Sequence, residues 1–225
     1  MAHALRYLIV ATLVALAGSL RAQPAAPEQR VRFTVFSSRP AEGLAYVART
    51  GQPAAPVTLY PTARSPRYEW RGVMPLRLLD AKTGAVLAEA TVPPAITEAL
   101  LLLVPLTPSP ATGLRYQVYV LDDTAARLAP GRLAIINLSG LALAGTLGEQ
   151  PVALAAGLNS AQPVGRATSL VLRTTLKGRS FQSYTGTLDL AKNERALLLL
   201  LPPFYKGSLE VQSRLLVDTP PTAAR

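Results

Sequence analysis

The chain contains no cysteine, and its one histidine, His3, lies at the extreme N-terminus. Without cysteine there is no disulfide, no thiol nucleophile and no iron–sulfur ligation. Without a histidine in the body of the chain there is no Ser-His-Asp triad, no haem ligand of the usual kind and no ordinary zinc site. Charged residues make up only 16% of the sequence and there is a single tryptophan. The acids are scattered and form no paired constellation of the kind glycoside hydrolysis needs. The sequence therefore offers no catalytic residue, no metal ligand and no cofactor, and the expectation is a protein that is not an enzyme.

Apolar runs are also short after the first segment. Residues 1–22 carry a basic start (His3, Arg6), an apolar stretch over 7–17 and small residues up to Ala22. This is the pattern of a secretory signal peptide, and the stretch is short for a transmembrane helix. No stable membrane span is expected once it is removed, which places the chain in the periplasm or outside the cell. The 23 Lys and Arg residues outnumber the 13 Asp and Glu. Loss of Arg6 and Arg21 with the leader leaves 21 basic residues and a net charge of +8. Such a field attracts anionic polysaccharide or an acidic envelope protein. No nucleic-acid module is readable.

What the chain does have is short β-like runs broken by 20 prolines and 15 glycines. Runs at 31–36, 45–47, 57–60, 68–70, 75–79, 85–92, 99–106 and 116–121 predict an antiparallel sandwich, with a hairpin turn at Asp80-Ala81-Lys82-Thr83-Gly84. The leucine runs at 99–106 and 196–201 are cut short by Pro105 and Pro202, below helical length. They read as strands buried on both sides. A second series follows at 133–138, 141–143, 152–154, 169–176, 183–190, 196–201 and 209–217. The two series match in order: 99–105 with 196–202, Arg32–Ser37 with Arg132–Asn137, Leu44-Ala45 with Leu141-Ala142, and Asp123-Thr124 with Asp218-Thr219. Ordered weak matches with small drift in offset indicate an internal duplication. The expected plan is a leader at 1–22, an extended segment at 23–30, one unit at 31–124, a linker at 125–130, a second unit at 131–219 and a tail at 220–225.

The opening Arg-x-x-(Val/Ile)-x-(Ser/Asn), the Ser65, Tyr68 and Gly72 spacing, the strand Leu76-Arg77-Leu78 and the seam from Leu121-Asp122-Asp123 to Asn137-Leu138-Ser139 carry a resemblance. The chain resembles a bacterial family of secreted, tandemly repeated immunoglobulin-like domains of unknown function. The Asp-Ala-Pro that follows the opening serine in that family, and the adjoining Val-Asp-Val-Tyr strand, are absent from both series here. The resemblance implies an all-β protein of two tandem antiparallel immunoglobulin-like β-sandwich domains behind a signal peptide, and it carries no catalytic residue.

One stretch interleaves aromatic and basic side chains: Tyr60, Arg64, Arg67, Tyr68, Trp70 and Arg71. A flat aromatic face flanked by guanidinium forks would stack on a sugar and hold its acidic groups. The competing reading turns Tyr68 and Trp70 inward as core. Asp122-Asp123 is the only adjacent acidic pair, and it reads as the end of a strand capping the linker rather than as a metal site. The function expected is that of a non-enzymatic structural or adhesive protein of the cell envelope, with sheet edges as contact surfaces. A carbohydrate-binding module at the six-residue cluster and a periplasmic chaperone-like protein are the alternatives.

Overall fold

The structure is a computed structural model that describes residues 27–39, 41–110 and 112–220. The leader at 1–22 and the tail after residue 220 lie outside the described residues. Within them the fold is all-β, in four sheets. The N-terminal half contributes β1 (Gln29–Ser37), β2 (Leu44–Val47), β3 (Ala54–Pro56), β4 (Tyr68–Gly72), β5 (Leu76–Asp80), β6 (Val86–Ala90), β7 (Glu98–Pro105) and β8 (Tyr116–Asp122). The C-terminal half contributes β9 (Arg132–Asn137), β10 (Leu143–Leu147), β11 (Gln150–Leu154), β12 (Gly157–Leu158), β13 (Gln162–Pro163), β14 (Thr168–Leu176), β15 (Arg179–Leu188), β16 (Arg195–Leu201) and β17 (Gln212–Asp218).

Each half folds as two facing sheets. The orders are β4-β1-β7-β8 against β3-β2-β5-β6 in the first half, and β12-β9-β16-β17 against β11-β10-β14-β15 in the second, with β13 also pairing β9. The expected purely antiparallel plan is not what forms, because the centre of one sheet in each half is a parallel pair, β1 with β7 and β9 with β16. Parallel strands need a long crossover, and the intervening strands, most of them in the other sheet of each half, supply it. In the two pairs Phe33 lies opposite Ala99 and Leu133 opposite Ala196, so residues matched in the sequence also match in register. Residues 57–60 depart as well: beyond the Val57 N–H bond to the Leu44 carbonyl they join no strand, and the Thr58 N–H goes to the Tyr68 hydroxyl. Of the run expected at 141–143 only Leu143 is strand, and β3, β12 and β13 form where no strand was expected.

Period-two alternation explains the leucine runs. In β7, Ala99, Leu101 and Leu103 join Val31, Phe33, Val35, Leu76 and Leu78 in the first half's core. In β16, Ala196, Leu198 and Leu200 join Leu133, Ile135, Leu170 and Leu172 in the second. The intervening residues Leu100, Leu102, Leu197 and Leu199 point the other way and meet each other, together with Phe36, Ile136 and Leu216. A third core therefore lies between the two halves, and the inner sheets β4-β1-β7-β8 and β12-β9-β16-β17 pack face to face across it. Each fully buried leucine there contributes about 1.5–3 kcal/mol. The segment at 125–130 is part of this contact: Leu128 is buried in it, and its N–H and that of Arg127 both close a turn on the Thr124 carbonyl.

Turn chemistry follows the sequence. Asp80 ends β5, and its Oδ1 accepts N–H bonds from Lys82 and Thr83, both at 2.9 Å. These bonds hold its carboxyl below the ordinary value of 3.8. Gly84 closes the turn at φ +71°, a conformation open to glycine at no steric cost.

Candidate functional site

The six residues singled out in the sequence do not converge. Trp70 sits on β4, paired opposite Val31, and only 7% of it is exposed. Its indole lies over Gly72, where an added Cβ would come within 2.9 Å of the ring. The same device recurs in the second half, where the Tyr184 ring covers Gly186. An aromatic laid over a strand glycine restores the packing that the glycine lacks. Tyr68 is half-buried, its ring 5.5 Å from Phe33 and 5.3 Å from Tyr46. Burial first, then the proximity of Tyr68 and Glu69, pushes the Tyr46 hydroxyl above the usual tyrosine value. These aromatics are core, and the expected stacking platform is not formed, because alternation on β4 turns both rings inward. Arg71 points outward to Glu28 at 2.9 Å. Arg67 is half-buried, and Tyr60 is exposed beside Ser38, Glu42 and Arg214.

Arg64 takes a different course, away from its aromatic neighbours. It is 7% exposed and lies at the seam between the halves. Its Nη1 donates to both carboxylate oxygens of Asp123 at 2.6 Å. Arg195, at the start of β16, is 0% exposed and completes the cluster. Its Nε and Nη2 donate to Asp218 Oδ2 at 3.0 and 2.7 Å, and Nη2 also reaches Asp123 Oδ2 at 3.0 Å. Its Nη1 donates to the carbonyls of Asp123 and Leu128 at 2.8 and 3.2 Å. Arg64 Nη1 stands 3.7 Å from Asp218 Oδ2. Two arginines and two aspartates thus neutralise each other inside the interface, which a buried charge requires. Asp122, by contrast, turns its Oδ1 to the N–H and hydroxyl of Thr124 and caps the chain as expected.

A signal for this cluster was present. Asp123 and Asp218 occupy matching ends of the two series, and the second leucine run opens with Arg195 where the first opens with Glu98. Glu98 pairs outward with Arg32, whereas Arg195 turns inward. One position of opposite sign is what makes the two series unlike each other here.

Beside the cluster is a cavity of about 320 Å³, lined from both halves. Leu100, Leu128, Ala134 and Leu197 supply its apolar wall, and Arg64, Arg127 and Arg132 its cations. Arg132 Nη1 donates to the Ala161 carbonyl at 3.0 Å. The Nε and Nη2 of Arg64 are buried and have no partner among the described residues. No group of His, Cys, Asp and Glu among the described residues is placed to hold a metal ion. No described helix is long and apolar enough to cross a membrane. No protein-family model matches the chain, and no curated protein matches it either.

Proposed function

We propose that the chain is a secreted, non-enzymatic structural or adhesive protein of the cell envelope. In this reading it consists of two tandem immunoglobulin-like sandwich repeats behind a cleaved leader, and it contacts anionic polymers. The matching registers of β1–β7 and β9–β16 support the duplication. The leader-like residues 1–22 and the absence of cysteine support export without disulfides.

One observation carries the adhesive reading. Phe204 and Tyr205, in the loop between β16 and β17, are 74% and 73% exposed and pack edge to face at 4.9 Å. The edge strand β17 that follows them exposes Leu215 and Val217. Exposed apolar side chains on an unpaired edge strand and in the loop that leads into it mark a contact surface. Lys206 adjoins the aromatics, and the chain without residues 1–22 carries a net charge of +8, which favours an anionic partner. Carbohydrate binding is the second reading. The exposed pair Phe204 and Tyr205 now favours it in place of the Trp70 cluster.

Cosedimentation with an insoluble acidic wall polymer and with neutral cellulose tests this. The chain is expected to pellet with the acidic polymer and be released by about 1 M salt, where the screening length falls to about 3 Å. Replacing Phe204 and Tyr205 by serine is expected to weaken retention while leaving the melting temperature in place. Equal retention on both polymers, indifferent to salt, would sink the proposal.

A further inference from the structure

We infer that the edge strand β17 pairs with β17 of a second copy of the chain, antiparallel and centred on Leu216, to make a symmetric dimer. The inference stands apart from the adhesive reading, since this pairing needs no polymer and Phe204 and Tyr205 lie outside the paired segment.

Backbone direction gives the first support. In β16 the Leu200 carbonyl turns to the first half-strand of its sheet centre, accepting the Leu138 N–H just past β9 at 2.8 Å. Alternation then turns Arg195, Leu197, Leu199 and Leu201 toward β17, and their register partners Asp218, Leu216, Arg214 and Gln212 turn back toward β16. The N–H and carbonyl groups of Ser213, Leu215 and Val217 therefore point out of the sheet. The Val211 N–H, two positions before Ser213, leaves β16 as well and goes to the Ser183 carbonyl at 3.0 Å. No proline and no break in register blunts β17, the devices that usually protect such an edge.

Side chains give the second support. Leu215 and Val217 are 37% and 41% exposed. Val120, which matches Leu215 when Asp123 is set on Asp218, packs instead against the first half's core. On the opposite face of β17, Arg214 donates to the carbonyl of its neighbour Ser213 at 2.7 Å and has no acidic partner among the described residues. Asp218 gives its Oδ2 to Arg195, while its Oδ1 accepts no hydrogen bond among the described residues and 21% of the side chain is exposed.

This pattern is self-complementary about Leu216. A two-fold axis there sets Leu215 opposite Val217 of the second copy, twice, so that their outward backbone groups exchange hydrogen bonds. It also sets Arg214 opposite Asp218, twice. Centring on Leu215 instead would set Arg214 opposite Leu216 and leave both charges unmatched. Charge therefore selects the register. An interface of this symmetry closes on itself and stops at two copies. The paired segment, 214–218, is short, which puts the association at the weak, reversible end of the range.

Sedimentation velocity of the purified chain, from about 1 µM to about 1 mM and with no polymer present, tests the dimer. A monomer–dimer equilibrium is expected. Leu215→Pro deletes one outward N–H in each copy, leaves the bonds to β16 intact and is expected to weaken pairing about tenfold or more. Arg214→Glu sets like charges against Asp218 and is expected to weaken it by about as much. If Leu215→Pro does not fold, Arg214→Glu decides alone. Replacing Phe204 and Tyr205 by serine is expected to leave the dimer in place, so loss of polymer retention and loss of pairing are read separately. The assignment is overturned by any of three results. These are a parent chain that stays monomeric to about 1 mM, pairing unchanged in either folded β17 variant, or pairing lost with Phe204 and Tyr205.

Discussion

Arg195 and Asp218 face each other across β16 and β17, directly paired in register, with Nη2 to Oδ2 at 2.7 Å and the guanidinium wholly out of solvent. The aspartate belongs to the strand that closes the second half. The same guanidinium reaches Asp123, which follows the strand closing the first half. One side chain therefore joins both halves at the depth of the seam.

Removing one member of a buried ion cluster strands the charges that remain. Arg195→Met is expected to destabilise the chain by about 3–5 kcal/mol in chemical denaturation. Arg30→Ala, which breaks an exposed pair with Glu69 at 2.9 Å, is expected to cost less than about 1 kcal/mol. Equal losses from the two substitutions would mean that the cluster is solvated.

The third core predicts that the halves unfold together. Leu102 and Leu199 are both 0% exposed, and both face the seam rather than the core of their own half. Leu102→Ala is expected to lose about 2–5 kcal/mol. Calorimetry of the parent chain is expected to show one transition, and separate transitions for the halves would argue that the seam contributes little.

On β10, Gly145 pairs opposite Leu172, and a Cβ there would overlap the backbone carbonyl of Val171. The neighbour in the way is backbone and cannot rotate aside. Gly145→Ala is expected to cost about 1–3 kcal/mol by overpacking, read as a lowered denaturation midpoint. An unchanged midpoint would show that β10 and β14 separate easily.

Acid should loosen the β5–β6 turn. The N–H groups of Thr83 first, then Lys82, hold the Asp80 carboxyl below 3.8 in the folded chain. A lowered folded value gives stability that is present above the unfolded value and disappears as pH falls through the folded one. The parent chain is expected to melt above Asp80→Asn at neutral pH, with the gap closing once the pH falls below that of the folded carboxyl. A gap that stays constant down to acid pH would remove the carboxylate from the account.

Buried Trp70 makes the chain's only tryptophan a reporter of the core. Its emission is expected to be blue-shifted in the folded chain and unmoved by glycan titration. A quench on adding glycan would return the aromatic cluster to the surface.

Residue pattern alone determined the β class of this protein and most of its strands. Short alternating runs, punctuated by proline and glycine, can bury a face only as β-structure, and Pro105 and Pro202 hold the leucine runs below helical length. Pattern also showed that those runs need cover on both sides, since nothing polar interrupts them. It could not say what provides the second cover. That depends on which face of β7 meets which face of β16, a relation between residues about a hundred positions apart that no local periodicity encodes. Tertiary structure alone decided that the halves close on each other and that Arg64 leaves its aromatic neighbours for Asp123. It also turned Trp70 inward over Gly72. Hydrophobic burial draws the two leucine faces together, and the charges caught between them must then find one another.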